Sequence, residues 1–589
     1  MYVAITGLGK ARVIQFREDK RIPGTNKKAV KVIKTIGNYE KMIAEDPNII
    51  EKLKAEAKAL TEAKRASAKP LTIEVSSRPI THEEDVVPSF HFGHGLVQHF
   101  WKAMHLDTFF LQQCGKKNAH AVAQALLYLI SHRCMDPTSV RGSVMRQPRF
   151  AGVEPLGLDV FYGILDVLAE QKEAVIEHLC DFFTKKTDRT VPNTYLDVTT
   201  YAFESTRFGE LRMFGFSKDR KHHEVQVVMA LLIDSNGIPI TYELFPGNTM
   251  DQNTLVDTVE RLKKIYHLDK ITLVADRGLN GGDNLLYLND HDDDFVISYT
   301  LKRSKKDFEK MLDDETEWQY FYDEKEATLI RKEKVLASSV EVTVPIRPNT
   351  TPPEKRKRGR PPKYEVIKIP VNIHLTYSPQ RARKDQLDRE RILTRLKQKL
   401  EQPSKLKAAM KRGGNQYLDM TLKTEEWTLD EAKIQEAERF DGYYAIITNN
   451  LTMTTPEACD IYRGLWRIEE SFRILKSDLR ARPVFVWNDA HIKGHFLMCY
   501  ISLCLLRYMQ YLLEKQHQTR CSAERLMRAI KEPLALVQGD YPHVIVTPTR
   551  VSNTYLELTQ IAGLPALKTN MTLTQFRAST KLDLNINLK

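Results

Sequence analysis

Apolar and polar residues alternate along the first 45 positions, in the two runs YVAITGLG and AVKVIKTIG. Strict alternation places apolar side chains on one face of a strand, so these runs predict a hairpin or small sheet around a basic loop. A helix whose charges are spaced as on a solvated surface is expected to begin at Asn48. We predict that residues 1–88 form an N-terminal DNA-binding module, with a merely solvated helix face as the alternative.

Helical spacing of apolar residues dominates from residue 89 to 188, which predicts a helical region. Residues 189–300 then contain the strand candidates TYLDVTTYAFE, VQVVMALLID and PITYELF, the last two joined by a tight-turn signal at 235–237. A helical segment and the short apolar run ITLVAD follow. Three antiparallel strands, a crossover helix and a further strand predict an α/β fold with a mixed sheet flanked by helices.

The pattern changes again between residues 301 and 438, where charge rises and six of the ten residues from 354 to 363 are Lys or Arg. We interpret this stretch as a basic insertion domain and not as a continuation of the sheet. A regular pattern of apolar residues resumes over 439–515, where it predicts the strand GYYAIITN and a long amphipathic helix from about 456 to 479. Residues 516–589 are predicted to form a C-terminal region with a role in dimerisation.

Charge and composition narrow the classes of function. The 589 residues contain 88 Lys and Arg against 76 Asp and Glu, and the formal net charge of +12 favours a polyanionic partner. The longest apolar run, from 496 to 506, is too short to span a bilayer, and the first residues lack a signal-peptide pattern. Seven cysteines form no CxxC pair, which argues against a disulfide framework or zinc finger. We therefore expect a cytoplasmic protein without a membrane partner.

Two aspartates and one helix carry the candidate chemistry. Asp197 lies within an apolar strand, where a carboxylate is costly unless it is paired or binds a cation. Asp276 ends a strand, the usual position for sites in open α/β sheets. Tyr462, Glu469 and Lys476 are seven residues apart along one flank of the helix's apolar stripe. The alternatives are turn-forming aspartates and an ordinary amphipathic helix with polar residues at the edge of its buried face.

Three carboxylates on adjoining elements predict an anionic pocket. Mg²⁺ prefers such oxygen ligands and leaves positions for water and substrate phosphate. We expect two Mg²⁺ ions, for which Mn²⁺ can substitute, in a site for in-line phosphoryl displacement. The electrostatics require the cations, because uncompensated carboxylates would repel an anionic substrate.

A family resemblance adds to this interpretation. The strings YLDVT, GFSKDRKHHEVQVVMALLID, VADRGL, FDGYYAIITN and YRGLWRIEESFRILKSDLRARPVF follow in order between about residues 190 and 510. Together they resemble a bacterial insertion-sequence transposase of the DDE class, in the insertion-sequence-four superfamily with its RNase H-like, retroviral-integrase-like core. The resemblance implies that Asp197, Asp276 and Glu469 are the DDE triad, with an insertion between the second and third residues.

The helix signature of that superfamily is Tyr, two residues, Arg, three residues, Glu, six residues and Lys. Tyr462, Glu469 and Lys476 fit this spacing, and the resemblance implies that Tyr462 and Lys476 hold DNA phosphates. Leu465 occupies the arginine position, as in one branch of the superfamily. The candidates to bind phosphate in its place are the arginines on the same helix, Arg463, Arg467 and Arg473.

Two accessory features lie in the insertion. The core Arg358-Gly359-Arg360-Pro361 resembles an AT-hook, which would lie in a narrow A·T minor groove; the alternative is a solvated basic linker. Trp318 is a candidate for stacking a flipped base, as in superfamily members that make DNA hairpins, with a core position as the alternative.

The sequence therefore predicts a DNA transposase of the bacterial cytosol and nucleoid. It would bind the terminal inverted repeats of its element, pair two ends as a homodimer or higher oligomer, and cut and join double-stranded DNA. Two alternatives remain open. One is an RNase H-like nuclease or resolvase that cuts without joining, and the other is a non-catalytic DNA-binding regulator derived from a transposon.

Overall fold

The structure is a computed structural model and divides the chain into two compact units, residues 1–86 with 538–544 and residues 87–537 with 545–589. The described residues are 1–21, 28–66, 79–82, 86–113, 119–187, 189, 193–215, 223–250, 254–276, 281–299, 312, 314, 316–323, 325–345, 364–400, 417–419, 428–539, 544–582 and 584.

The first unit is a small sheet followed by two helices. Its elements are β1 (Tyr2–Thr6), β2 (Val13–Arg21), β3 (Lys28–Asn38), α1 (Tyr39–Glu45) and α2 (Ile49–Ala66). The strands pair antiparallel in the order β1-β2-β3. Ile14 and Phe16 of β2 are buried in one apolar cluster with Leu53 and Ala57 of α2. The sheet and the following helix that the alternation predicted are confirmed.

The second unit begins with a short strand and six helices, which confirms the predicted helical region. They are β4 (Ser89–His91), α3 (His94–Ala103), α4 (Leu106–Gln113), α5 (Ala119–Met135), α6 (Val140–Arg146), α7 (Leu158–Glu170) and α8 (Lys172–Lys186). Their apolar side chains belong to the main core, together with those of the large sheet that follows.

A nine-stranded mixed sheet forms the centre of the second unit. Its first elements are β5 (Asn193–Ala202), β6 (Gln226–Ile233), β7 (Pro239–Pro246), α9 (Leu255–Tyr266), β8 (Thr272–Ala275), α10 (Gly282–Asp290) and β9 (Asp294–Tyr299). β5, β6 and β7 pair antiparallel, whereas β8 pairs parallel with both β5 and β9. The predicted α/β fold with a mixed sheet is confirmed.

The segment from 301 to 438 differs from the prediction, because its long strands continue the central sheet. It contributes β10 (Gln319–Tyr322), β11 (Leu329–Pro345) and β12 (Tyr364–Tyr377), and β12 pairs antiparallel with β15 (Tyr443–Thr448). The full order is β10-β11-β12-β15-β9-β8-β5-β6-β7. Ile369, Val371, Ile373 and Leu375 are buried at every second position of β12, so the strand pattern of the sheet continues within this highly charged segment.

The rest of this segment adds a small cluster of its own. Its elements are α11 (Pro379–Leu400), β13 (Leu418–Asp419), β14 (Thr428–Leu429) and α12 (Glu431–Glu438). Leu396, Tyr417, Leu418 and Ile434 form an apolar cluster apart from the main core. The division of the chain into six segments remains a prediction.

The C-terminal part of the second unit is built around one long helix. Its elements are α13 (Thr455–Arg463), α14 (Trp466–Arg473), a π-helical turn (Ile474–Asp478), α15 (Asp489–His517), α16 (Ala523–Lys531), β16 (Leu534–Gln538), β17 (Ile545–Thr549), α17 (Asn553–Ile561), β18 (Met571–Thr572) and α18 (Leu573–Thr580). Among the described residues, α15 is long and apolar enough to cross a membrane by length and composition, but 83% of its most apolar window is buried inside the fold. It has the burial of a core helix.

Buried histidines make the stability of this core sensitive to acid. Burial lowers the pKa of His132 on α5 and of His495 on α15 to about 3. His132 Nδ1 lies 3.1 Å from Ser143 Oγ, and His495 Nε2 lies 3.1 Å from the Ala481 carbonyl oxygen. Both rings therefore stay neutral in the folded protein at pH values where the unfolded chain already binds a proton.

We predict that the free energy of unfolding falls as the pH drops below about 6.5, where unfolded histidine gains a proton. Each such histidine contributes a slope of about 1.4 kcal/mol per pH unit until its folded pKa is reached. His132→Gln should reduce the loss between pH 7 and pH 5, measured by urea unfolding. The control is His120→Gln, which removes an exposed histidine from the same helix. An unchanged pH slope in His132→Gln would contradict the prediction.

Candidate active site

One face of β5 is covered by the helices that follow β15. Side chains alternate along a strand, so Tyr195, Asp197 and Thr199 share a face. Tyr195 Oη donates a hydrogen bond to the Ile461 carbonyl oxygen at 3.0 Å, and Lys476 Nζ donates to Thr199 Oγ1 at 2.5 Å. Asp197 lies between these two contacts, on the face that meets α13, α14 and the π-helical turn.

Gly464 makes the first of these contacts very close. A Cβ atom at this position would lie only 2.1 Å from Tyr195 Oη. Glycine is therefore required by packing where the chain passes from α13 to α14. Glu469 follows on α14, between Gly464 beside Tyr195 and Lys476 beside Thr199, and its side chain is exposed. The helix that carries Glu469 thus packs against the strand that carries Asp197.

The parallel register of β5 and β8 brings Asp276 near Asp197. The parallel pairing of β5 with β8 sets Leu196 opposite Ala275, and the two aspartates are the next residues of their strands. Neighbouring strands lie about 4.8 Å apart, so the two backbones bring these residues side by side. Asp197 is partly buried and its Oδ1 accepts a hydrogen bond from the Val198 amide at 2.7 Å, whereas Asp276 is exposed at the end of β8.

The three carboxylates share one region but do not form a closed metal centre. Within the described part of the chain, no three His, Cys, Asp or Glu side chains are grouped closely enough to hold an ion. Carboxylate oxygens are nevertheless the donors that Mg²⁺ and Mn²⁺ prefer, and Asp197 and Asp276 are already in register. The donor chemistry fits a hard divalent cation, with Glu469 as the ligand that must approach from the helix.

A cleft of about 680 Å³ opens beside Glu469, between α13–α14 and the same face of the sheet. Tyr462, Leu465 and Glu469 line it from the helices, and Tyr444 of β15 lines it from the sheet. The rings of Tyr444 and Tyr462 are 5.7 Å apart. Burial raises the pKa of Tyr444, and its contact with Tyr462 and the nearby charge of Asp276 raise it further. The cleft therefore reaches the neighbourhood of the carboxylates.

Residues 194–505, more than half of the 589, match the family model for the transposase DDE domain. The chain belongs to the DDE transposase family. The resemblance to DDE transposases noted from the sequence is thereby confirmed, and Asp197, Asp276 and Glu469 all lie within the matched residues.

The comparisons with solved structures and with curated proteins give no further information on the family. A similar solved structure is the piggyBac transposase synaptic complex with hairpin DNA, at 9% identity and a TM-score of 0.35. That similarity covers 84% of this chain and 86% of the other, and at this TM-score it carries no conclusion. A comparison with curated proteins gave no match.

The helix of this DDE-family chain differs from the single straight helix expected over 456–479. It is interrupted at Gly464 and ends in the π-helical turn. Because a π turn has more residues per turn than an α-helix, the row of Tyr462, Glu469 and Lys476 at seven-residue spacing does not continue as one straight line. Lys476 instead donates to Thr199 and lies 5.5 Å from the Tyr201 ring.

The opposite side of α14 is fixed by a buried arginine of α15. Arg507 donates to the Arg467 carbonyl oxygen at 3.0 Å and to Ser471 Oγ at 2.8 Å, and it pairs with Glu470 at 2.8 Å. Glu470 is thus a structural partner of Arg507. Its neighbour Glu469 is the acidic residue of this helix that lines the cleft.

The three arginines considered in place of Leu465 take different positions. Arg463 lines the cleft and pairs with Asp460 at 2.8 Å on the surface. Arg467 lies 5.2 Å from the Trp466 ring, next to a second cleft, and Arg473 pairs with Asp478 at 3.2 Å. Of the three, Arg463 is the one placed along the cleft beside Glu469.

The structure describes one of the two accessory features, the base-stacking candidate, and does not describe the AT-hook candidate. Trp318 is buried; its indole Nε1 donates to the Asp314 carbonyl oxygen at 3.1 Å, and Lys332 Nζ lies 4.4 Å from its ring centroid. This favours the core alternative, because Lys332 already covers the ring. The AT-hook candidate Arg358, Gly359, Arg360 and Pro361 lies outside the described residues.

Sequence reasoning missed the residues that line the cleft from the sheet and from α11, among them one tyrosine and two arginines. Tyr444 lies in the strand GYYAIITN, and Arg331 and Arg381 come from the segment that was interpreted as an accessory insertion. The alternation along β11 and β12 was the available signal for this part of the sheet. It was outweighed by the high charge of the segment.

We predict that Gly464→Ala destabilises the protein by about 1–3 kcal/mol, because the new methyl group must displace the Tyr195 ring. In a Tyr195→Leu background, which lacks the ring atoms nearest Gly464, the same change should cost less. Urea unfolding of the four proteins measures this coupling. Gly163→Ala is the control, since a Cβ atom there meets nothing within 4 Å. An equal cost in both backgrounds would argue against the helix–strand contact.

Proposed function

We propose that this chain is a DNA transposase of the insertion-sequence-four superfamily, with Asp197, Asp276 and Glu469 as its catalytic carboxylates. One observation carries the proposal. Asp197 and Asp276 directly follow Leu196 and Ala275, the last residue pair that β5 and β8 share in parallel register, and Glu469 lies on the helix held across that strand face. All three residues lie within the stretch that matches the transposase DDE domain.

The strand order supports an RNase H-like core for this activity. β7-β6-β5 form an antiparallel half, and β8 and β9 extend it with parallel pairing. The proposed catalytic aspartates then come from the first strand of the antiparallel half and from the strand parallel to it. The third carboxylate is supplied by a helix packed over the first of these strands, β5.

The residues divide the chemistry between them. Asp197, Asp276 and Glu469 would hold two Mg²⁺ or Mn²⁺ ions, which when bound activate the attacking oxygen and stabilise the leaving oxygen of an in-line displacement. Lys476, fixed two residues from Asp197 through Thr199, would hold a DNA phosphate near the cleavage point. Tyr462 would hold a second phosphate from the adjoining cleft. The nucleophile is water during cleavage and a DNA 3′-hydroxyl during joining.

The partners are proposed on charge and on family. A net charge of +12 suits a protein that holds polyanionic double-stranded DNA, both the terminal inverted repeats of its element and target DNA. The N-terminal unit would recognise the ends, and the C-terminal region would support a homodimer or higher oligomer on paired ends. The proposed location is the bacterial cytosol, at the nucleoid.

We expect Asp197→Asn, Asp276→Asn and Glu469→Gln each to reduce cleavage of terminal-repeat DNA in Mg²⁺ by at least about a hundredfold, because each removes a charge needed in the transition state. Binding of the same DNA should change little. Removing the metal with EDTA should stop cleavage by the unmodified protein, and added Mg²⁺ or Mn²⁺ should restore it.

Glu524→Gln is the matched control, since it removes a carboxylate from an exposed ion pair with Arg528 on α16. Full cleavage by any one of the three site variants would refute its assignment. Joining of the cut ends to a target plasmid separates a transposase from a nuclease or resolvase that only cuts. DNA binding without any metal-dependent cut would instead indicate a non-catalytic regulator.

A further inference from the structure

Arg381 places a positive charge in the cleft beside the proposed site. It lies in the first turn of α11, in the segment first interpreted as an insertion, and its side chain is 47% exposed. Its guanidinium carbon lies 4.5 Å from the centroid of the Tyr444 ring. Stacking on an aromatic ring fixes the plane of the guanidinium group while its N–H donors remain directed to solvent and ligands.

Tyr444, the ring on which Arg381 stacks, lies in the cleft beside the proposed site. Tyr444 lies 5.7 Å from Tyr462, ring centroid to ring centroid, and both residues line the cleft with Glu469. Tyr444 also lies within the electrostatic influence of Asp276. Arg381 therefore lines the same cleft as Glu469, with the Tyr444 and Tyr462 rings beside it.

The other arginines of the cleft are more strongly engaged. Arg463 has a 2.8 Å ion pair with Asp460, and Arg331 is 3.5 Å from Glu333, a carboxylate that lines the same cleft. Arg381 Nε is 3.8 Å from Asp385, whose Oδ2 already accepts a hydrogen bond from the Gly442 amide at 3.0 Å. A long ion pair to an engaged, partly exposed carboxylate leaves most of the charge of Arg381 for a ligand.

We propose that Arg381 binds a phosphate of the DNA strand that is cut, and that β11, β12 and α11 thereby complete the active-site cleft. This rests on the proposed function. A guanidinium group can hold a phosphate by two parallel hydrogen bonds, which fixes both position and orientation. The first turn of α11, where Gln380 and Arg381 line the cleft, adds the positive end of a helix dipole.

The assignment also answers an electrostatic problem of the site. Glu333 and Glu469 line the cleft, and DNA brings further negative charge. The helix that carries Glu469 has the apolar Leu465 toward the cleft. A cation across the cleft, at the position of Arg381, would attract the DNA backbone from the side opposite Tyr462 and Glu469.

The first test compares three variants on a duplex that carries the terminal repeat found in DNA flanking the coding sequence. Arg381→Ala should lower single-turnover cleavage in Mg²⁺ by about ten- to a hundredfold, as expected for a charged hydrogen bond, and Arg381→Lys should recover part of the loss. Arg383→Ala is the matched control. It removes the same charge two residues later on α11, from a side chain that lines a separate groove, and should cut at the unmodified rate.

The second test asks whether the phosphate is the partner. Methylphosphonate groups neutralise single phosphates near the cleavage point, one at a time. At the contacted phosphate, the substitution should slow the unmodified protein but cause no further loss in Arg381→Ala. The plot of log binding constant against log salt should also become shallower by about 0.9 in Arg381→Ala.

The outcomes separate this inference from the proposed function. If the unmodified protein cuts but Arg381→Ala matches Arg383→Ala, the inference is wrong and the proposed function stands. It is also wrong if every neutralised phosphate slows both proteins equally. If the unmodified protein does not cut in Mg²⁺ or Mn²⁺, the proposed function fails and the inference fails with it. Thermal unfolding midpoints equal to the unmodified protein's exclude misfolding as the cause of a loss.

Discussion

The candidate site depends on how one broken helix is held against one strand. Tyr195 meets Ile461 and Gly464 at one end of the contact, and Lys476 meets Thr199 at the other. On the side of α14 away from β5, Arg507 donates hydrogen bonds to the Arg467 carbonyl oxygen and to Ser471 Oγ. Because the helix is fixed on both sides, the position of Glu469 relative to Asp197 follows from packing and does not depend on a carboxylate contact.

Like charge is the second constraint. Carboxylates close enough to share cations also repel DNA, so the surroundings must supply positive charge without neutralising the site. The sheet meets this requirement by extending through β15, β12 and β11, which carry one wall of a cleft with Arg331 and Arg381. Under the proposed function, β11, β12 and the first turn of α11 form one wall of the catalytic cleft, and the proposed DNA path runs over them.

Much of this was accessible from local patterns. The alternation at the N-terminus, the helical region, the strands around Asp197 and the turn before Ile238 all appeared where predicted, because each depends on neighbours within a few residues. The strands β10, β11 and β12 were not predicted as part of the sheet, because the high charge of this segment is more typical of an exposed accessory domain. The π-helical turn was also missed, because residue spacing alone carries no sign of it.

The sequence by itself determined the chemistry: which residues are acidic, basic or aromatic, which local elements carry them, and the ordered strings that identify the family. Only the tertiary structure decided which of these residues are neighbours. Asp197 and Asp276 are 79 residues apart in sequence (276 − 197) and side by side through parallel register, whereas Arg381 meets Tyr444 through packing of α11 on β15. The physical reason is that strand register and helix packing are set by burial of many distant side chains together, which no local spacing records.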